Sequence, residues 1–397
     1  MGASASAGNN GPDTCLVEKR FFPFAAPPEP FVLESGERIG PLTLAYETLG
    51  RLSAAGGNAI LILHALTGDS HVAGCYSPED TRRGWWEIMV GPGKAIDTDR
   101  YFVICANVLG GCMGSSGPSS LNPATGKPYG LSFPLVTIGD MVRAQRELLR
   151  HLGINRLLAV VGGSVGGMQA LEWCVRFPEM VQAAVPLATT PRHSAQAIAF
   201  NEVARQAIMA DPNWQGGNYY GGAKPDLGLA VARMIGHITY LSDQSMRQKF
   251  GRELRSRNAL SCHFDAEFEV ESYLRHQGSK FVERFDANSF LYLTKAADYF
   301  DLEGRSPGGL AGAFQNSRAK YLVVSFTSDW LYPTYQSRSL VQALKKNGLD
   351  VSFCEIDSHW GHDAFLLPHE RLNGLIASFL ARVRREGVGS REESHAL

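Results

Sequence analysis

LLAVVGGSVGGMQALEWCV, residues 157–175, decides the fold. Its first five residues are apolar without a break, the mark of a short strand buried on both faces. After the glycines, Met168, Leu171 and Val175 recur at helical spacing. Between strand and helix stands Gly162-Gly163-Ser164-Val165-Gly166, a G-x-S-x-G turn in the strand–turn–helix setting that pattern requires. A side chain at Gly162 or Gly166 would collide with the neighbouring strand or helix, and the sharp turn strains the serine backbone. The helix N-terminus then directs free N–H groups at an oxygen bound beside the serine. A capping serine on an ordinary turn is the plainer alternative.

Working outward, further apolar runs at 59–64 (AILILH), 101–106 (YFVICA), 181–187, 321–326 and 351–356 read as buried strands. Residues 31–39 and 42–49 read as two earlier strands joined by a short turn. Helical periods fall at 138–152, 165–176, 337–346 and 371–382. This alternation predicts an α/β fold, a mostly parallel sheet with helices on both faces. Residues 191–307 interrupt it, being rich in helix formers, arginine and aromatics. They read as a helical lid over the carboxyl edge of the sheet, where such sheets bind ligands. The core is then 13–190 with 308–384. The small, polar residues 1–12 are expected to be disordered, and 385–397 to fray.

A serine hydroxyl needs a base, and in the α/β-hydrolase fold the order along the chain is serine, acid, histidine. Asp329 follows the strand at 321–326, and its task is to orient the imidazole and stabilise its charged form. After the last strand comes Asp357-Ser358-His359-Trp360-Gly361-His362-Asp363. Two histidines compete there; Gly361 gives the backbone freedom to project His362, and His359 fits a packing role. The oxyanion needs two donors. Val165 N–H is one, and Leu66 N–H, in the loop after the strand at 59–64, is the candidate for the second.

Composition narrows the classes. The 397 residues are 44% hydrophobic and 19% charged with a net charge of −1, so no nucleic-acid partner is implied. Neither a signal peptide nor an apolar stretch long enough for a bilayer is present, and a soluble cytoplasmic protein without membrane partners is expected. The seven cysteines, Cys15, Cys75, Cys105, Cys112, Cys174, Cys262 and Cys354, are scattered without CxxC spacing; reduced thiols are expected, and neither a metal nor a bound cofactor.

Several long stretches carry a resemblance: HALTGDSHVAG (64–74), residues 91–130, GGSVGGMQALEW (162–173), residues 193–214, GLAVARMIGHITYLS (228–242) and GHDAFLL (361–367). Over about 31–380 the chain resembles the homoserine O-acetyltransferases of methionine biosynthesis. The resemblance implies Ser164, Asp329 and His362 as the triad and settles the choice between the two histidines. It implies acetyl-CoA as co-substrate, L-homoserine as acceptor and a homodimer through lid helices. It further implies Arg233 and Asp363 as the groups that hold the amino acid, through its carboxylate and its ammonium. From the residues alone these two read as a lid salt bridge and a helix cap. Val165 departs from the methionine often found after the nucleophile in the family, but only its backbone N–H is needed. Succinyl-transferring relatives look to carry arginine two residues after the triad acid; here that position is Leu331, which suits a methyl group. A homoserine or serine O-succinyltransferase, a serine ester hydrolase and a binding protein on an inactive hydrolase scaffold are the competing readings.

Overall fold

The computed structural model describes residues 16–255, 260 and 263–394. The residues expected to be disordered at the N-terminus, Cys15, Cys262 and the last three residues lie outside these. The strands are β1 (Arg20–Phe24), β2 (Phe31–Val32), β3 (Arg38–Ile39), β4 (Leu42–Leu49), β5 (Ala59–Leu63), β6 (Val90–Gly91), β7 (Ile96–Asp97), β8 (Phe102–Ala106), β9 (Ala159–Gly163), β10 (Ala183–Leu187), β11 (Lys320–Phe326) and β12 (Val351–Ile356). The helices are α1 (Ile138–His151), α2 (Val165–Arg176), α3 (Ala195–Met209), α4 (Asp226–Tyr240), α5 (Asp243–Lys249), α6 (Glu269–Val282), α7 (Ala287–Asp298), α8 (Gly309–Ala313), α9 (Thr334–Lys346) and α10 (Glu370–Ser394).

Eight strands form one sheet in the order β1-β4-β8-β5-β9-β10-β11-β12. The pairs β1–β4 and β4–β8 are antiparallel and the rest are parallel. Every residue of β5, β9 and β10 is buried, because helices cover both faces at the sheet centre. Two apolar cores result, one on each face: Met141, Leu148, Leu171 and Trp173 on one, Trp86, Ile376, Phe379 and Leu380 on the other. α1 begins at a capping box in which Thr137 and Asp140 satisfy each other's main-chain N–H groups.

Three local expectations differ from the structure. Residues 31–39 are not one strand: Gly36, at φ 89°, turns the chain so that β2 and β3 pair with each other. A strand unread in the sequence, β1, supplies the sheet edge; its Pro23 argues against a strand, yet an edge tolerates a residue without an N–H. The last helix does not stop before a frayed tail at 385 but runs to Ser394. Gly374 sits in the second turn, and burial of Leu372, Ile376, Phe379 and Leu380 holds the first half of the helix against the sheet.

Between β10 and β11 the chain forms the helices α3 to α8, of which α3 to α7 make up the lid. α4 packs between α3 and α6, and α3 also packs on α7. These helices lie over the ends of β5, β9, β11 and β12 at which the strands lead into the candidate site: Arg233 of α4 reaches the loop after β5, and Ala197 of α3 shares a cavity with Ser164. Among the described residues no helix is long and apolar enough to cross a membrane.

Candidate active site

Ser164 stands between β9 and α2 with φ 58° and ψ −125°, a conformation that L-residues adopt only when the surroundings impose it. Both of its peptide groups are pinned. Its N–H donates to the Leu187 carbonyl at 3.0 Å, and its own carbonyl accepts from Gly167 N–H at 2.9 Å and Thr189 Oγ1 at 2.7 Å. α2 crosses β5 so closely that a Cβ at Gly166 would sit 2.0 Å from the Leu63 carbonyl oxygen. The glycine therefore lets the helix approach, and that approach sets the elbow.

Asp329 follows β11 and is buried. One carboxylate oxygen accepts the main-chain N–H groups of Leu331 at 3.0 Å and Tyr332 at 2.9 Å; the other accepts from Nδ1 of His362 at 2.8 Å. Burial alone would lower the His362 pKa, but the charge and hydrogen bond of Asp329 outweigh it and hold the imidazole above its ordinary value. The ring is fixed among Tyr240, Tyr332 and Phe365, with centroids at 5.9, 5.1 and 5.8 Å. Gly361, at φ 75°, is where the chain bends under α4: a Cβ there would lie 2.5 Å from the Tyr240 carbonyl oxygen. His359 stacks beside Trp360 at 4.4 Å, and its carbonyl accepts from Ser245 Oγ at 2.7 Å. Its place is in the packing of the lid.

Leu66, Ser164 and Val165 line one cavity of about 50 Å³ together with Ala197, Leu331 and Tyr332. Val165 opens α2, so its N–H has no carbonyl a turn earlier to bind. The loop carrying Leu66 is fixed by His64. Val108 N–H donates to His64 Nε2 at 3.1 Å, so the ring proton sits on Nδ1 and points at the Ala65 carbonyl, 2.8 Å away. Burial keeps this histidine below its ordinary pKa and therefore neutral.

Arg233 lies over Phe281 at 4.8 Å and Tyr240 at 5.7 Å, and its Nη1 donates to Thr67 Oγ1 at 3.3 Å. Asp363 is partly buried, and burial raises its carboxyl against the pull of His362 and Arg233. The two residues feel each other's charge without forming an ion pair. Neither plainer reading describes them fully: among the described residues Arg233 is in no lid salt bridge, and Asp363 sits inside a 3₁₀ turn, Gly361–Leu366, and not at its cap.

A second set of groups had no signal in the sequence. Tyr332 touches the triad three times: its N–H on Asp329, its ring against His362, and its hydroxyl facing that of Ser164. That hydroxyl is 2.9 Å from His193 Nε2, and His193 Nδ1 is 3.0 Å from Asp298. Against the cost of burial, hydrogen bonds from His193, Asn201 and Arg205 hold Asp298 below the usual carboxylate range. Residues separated by more than a hundred positions leave no spacing by which to find them.

The α/beta hydrolase fold family model matches residues 58–368. The chain is 65% identical over 390 residues to a homoserine O-acetyltransferase of Solidesulfovibrio magneticus, with 98% of each chain covered. Among solved structures it is similar to the homoserine O-acetyltransferase of Bacillus anthracis, at 32% identity and TM-score 0.85, covering 92% of this chain and 98% of that one. It is also similar to esterase E22, at 33% identity and TM-score 0.84, covering 92% of this chain and all of that one. With the nucleophile elbow, the buried Asp–His pair and near full-length identity of this order, the chain belongs to the homoserine O-acetyltransferase family of the α/β-hydrolase fold.

Proposed function

We propose that the protein transfers an acetyl group from acetyl-CoA to the hydroxyl of L-homoserine, giving O-acetyl-L-homoserine for methionine biosynthesis. The observation that carries this reading is the 2.8 Å contact of His362 with Asp329, joined through Tyr332 to a strained Ser164 that lines a small cavity. Asp329 fixes the proton of His362 on Nδ1, which leaves Nε2 to act as base. His362 takes the Ser164 proton as Oγ attacks the thioester carbonyl carbon. The oxyanion is received by the N–H groups of Leu66 and Val165. The C–S bond breaks, the thiol departs with the proton from His362, and an acetyl-serine remains. The homoserine hydroxyl then gives its proton to His362 and attacks the acyl carbon, and Ser164 recovers the proton as the product leaves.

Arg233 suits the homoserine carboxylate, which a guanidinium grips through two parallel N–H bonds. Asp363 suits the ammonium and adjoins the base, so the acceptor hydroxyl arrives beside His362. Among the described residues neither forms an ion pair, which is consistent with an acceptor that completes them. Acetyl is favoured over succinyl because the cavity is about 50 Å³ and, among the described residues, no lysine or arginine lines it. A second carboxylate buried there would find no counter-charge.

A homodimer fits the lid, where Val203, Leu227, Val231 and Ile238 are exposed on α3 and α4; the cytoplasm is the compartment we assign. The likeness to esterase E22 favours one rival, hydrolysis of the acyl-enzyme by water. The test is a matrix of acetyl-CoA and succinyl-CoA against homoserine, serine and water, read by mass spectrometry. Acetyl-homoserine should dominate; free acetate at the same rate with and without homoserine would favour the esterase.

A further inference from the structure

A second cavity, of about 330 Å³, shares the oxyanion loop with the first. Thr67 and Gly68 line it, and the next residue back, Leu66, lines the cavity of the nucleophile. Arg284 ties this boundary down, donating from Nη1 to the Thr67 carbonyl at 3.0 Å, beside the bond from Arg233 to the Thr67 hydroxyl. A ligand filling the larger cavity therefore ends next to the oxyanion donors.

The larger cavity is lined by four cations: Lys19, Arg82, Arg83 and Arg284. Among the described residues none of the four is ion-paired with a carboxylate. Arg83 spends an N–H on the sulfur of Cys75 at 3.0 Å, and Lys19 lies 5.8 Å from the Tyr76 ring. The two acids in the lining are already occupied. Asp69 accepts from His71 N–H at 2.8 Å, and Asp80 accepts from the N–H groups of Tyr76 and Ser77, both at 3.0 Å. Burial, then the charges of Arg233 and Arg82, hold Arg284 below its ordinary pKa, which is the response to positive charge left without a partner.

His71, Tyr76 and Trp85 supply aromatic rings to the same lining. Trp85 stacks on Trp86 at 5.4 Å and donates Nε1–H to the Asp69 carbonyl at 2.9 Å. Tyr76 stacks on His71 at 4.3 Å. Beneath them the fully buried Glu47 of β4 accepts from Ser70 Oγ, His71 Nδ1 and Tyr76 Oη at 3.1, 2.9 and 2.8 Å. Nothing in the acyl-transfer mechanism uses this buried carboxylate. Its work is to hold two ring faces still at the edge of a cationic cavity.

We propose that this cavity binds the phosphorylated nucleotide end of the acyl donor, with Lys19, Arg82 and Arg83 on the phosphates and the Tyr76 and Trp85 rings beside the base. The extended arm that carries the thioester then runs past Thr67 and Gly68 to Ser164. The inference rests on acetyl-CoA as the donor. Unpaired guanidinium groups match phosphate geometry and charge, and aromatic faces accept any base. The acceptor amino acid, small and zwitterionic, has no use for four cations.

The test compares acetyl-CoA with S-acetylpantetheine, which carries the same thioester arm without nucleotide or phosphates, in the wild type and in the Arg82→Gln/Arg83→Gln double variant. Both side chains stand away from the triad, and an unchanged melting curve confirms the fold. The wild type should show a KM roughly tenfold or more higher for S-acetylpantetheine, as expected for losing charge-assisted phosphate contacts. The double variant should raise the KM for acetyl-CoA by a similar factor at nearly constant kcat, and leave S-acetylpantetheine kinetics unchanged. Added salt should weaken acetyl-CoA use alone. Equal KM values for the two donors in the wild type, or equal losses for both in the variant, would overturn the nucleotide site while leaving homoserine acetylation intact. Failure of the wild type to acetylate homoserine from either donor would overturn the acetyltransferase reading as well.

Discussion

The hydroxyl of Tyr332 lies 2.9 Å from Nε2 of His193, which joins the lid to the triad through one hydrogen bond. Asp298, kept ionised by Arg205, Asn201 and His193, fixes the His193 proton on Nδ1. Nε2 must then accept, and Tyr332 must donate. Burial, followed by the charge of Asp329, pushes the Tyr332 hydroxyl far above the usual tyrosine range, so the donor proton is always present. Tyr332→Phe keeps the ring against His362 but strands a buried acceptor. It should lower unfolding free energy by about 1–3 kcal/mol in denaturant melts. An unchanged melt would show that the bond contributes nothing net.

The rate of thiol release should follow the ionisation of His362. Only the neutral imidazole takes the serine proton, and Asp329 raises its pKa above the ordinary 6.5. Activity should therefore be lost as pH falls through a value higher than that of a free histidine. Asp329→Asn removes the charge and leaves the burial, so the inflexion should move to lower pH while the plateau drops by roughly 10⁴-fold, the loss typical of a misoriented tautomer. The same shift has a stability consequence. Charged His362 is favoured in the fold, so its contribution is full below the unfolded pKa and disappears as pH rises through the folded one. A pH–rate profile for each protein checks the first part, and melts across the same range check the second.

Arg233→Ala should separate the two half-reactions. It removes a guanidinium suited to the acceptor carboxylate, so the KM for homoserine should rise roughly tenfold to a hundredfold. Acylation of Ser164 by acetyl-CoA alone should proceed at the wild-type rate. Loss of both together would place Arg233 in the acylation step instead.

Leu331→Arg should change the acyl preference. Leu331 is 9% exposed in the lining of the nucleophile cavity, two residues from Asp329. A cation there would lose the methyl-sized apolar wall and supply a partner for a second carboxylate. The ratio of succinyl-CoA to acetyl-CoA use should rise, measured as kcat/KM for each donor. A fall in both with the ratio unchanged would mean that the cavity is shaped elsewhere.

The elbow was legible because it compresses three signals into nineteen residues: an unbroken apolar run, small residues at the turn and helical spacing beyond. Ser164 and Asp329 followed from chain order, since each trails a buried strand that announces itself. Chain order placed the base after β12, a partly exposed edge strand, and the choice of His362 over His359 came from the family resemblance. What escaped reading did so for physical reasons. β1 carries Pro23 at a sheet edge, where its missing N–H is harmless. β2 and β3 are two residues each and exist through a turn. The pair of Arg233 with Thr67, and the set of Tyr332, His193 and Asp298, are brought together by the folding of the lid over the sheet. No local pattern encodes that meeting. His64 is similar: its value lies in which ring nitrogen the Val108 N–H selects, a matter of contact and not of sequence spacing.

The central claim is that Ser164 carries the acyl group covalently, and rapid mixing with acetyl-CoA in the absence of homoserine tests it most directly. The account predicts a burst of one equivalent of free thiol per active site, with the protein heavier by one acetyl group on the peptide that contains Ser164, and neither signal in Ser164→Ala. Thiol release that waits for homoserine, from a protein that never gains the acetyl mass, would contradict it.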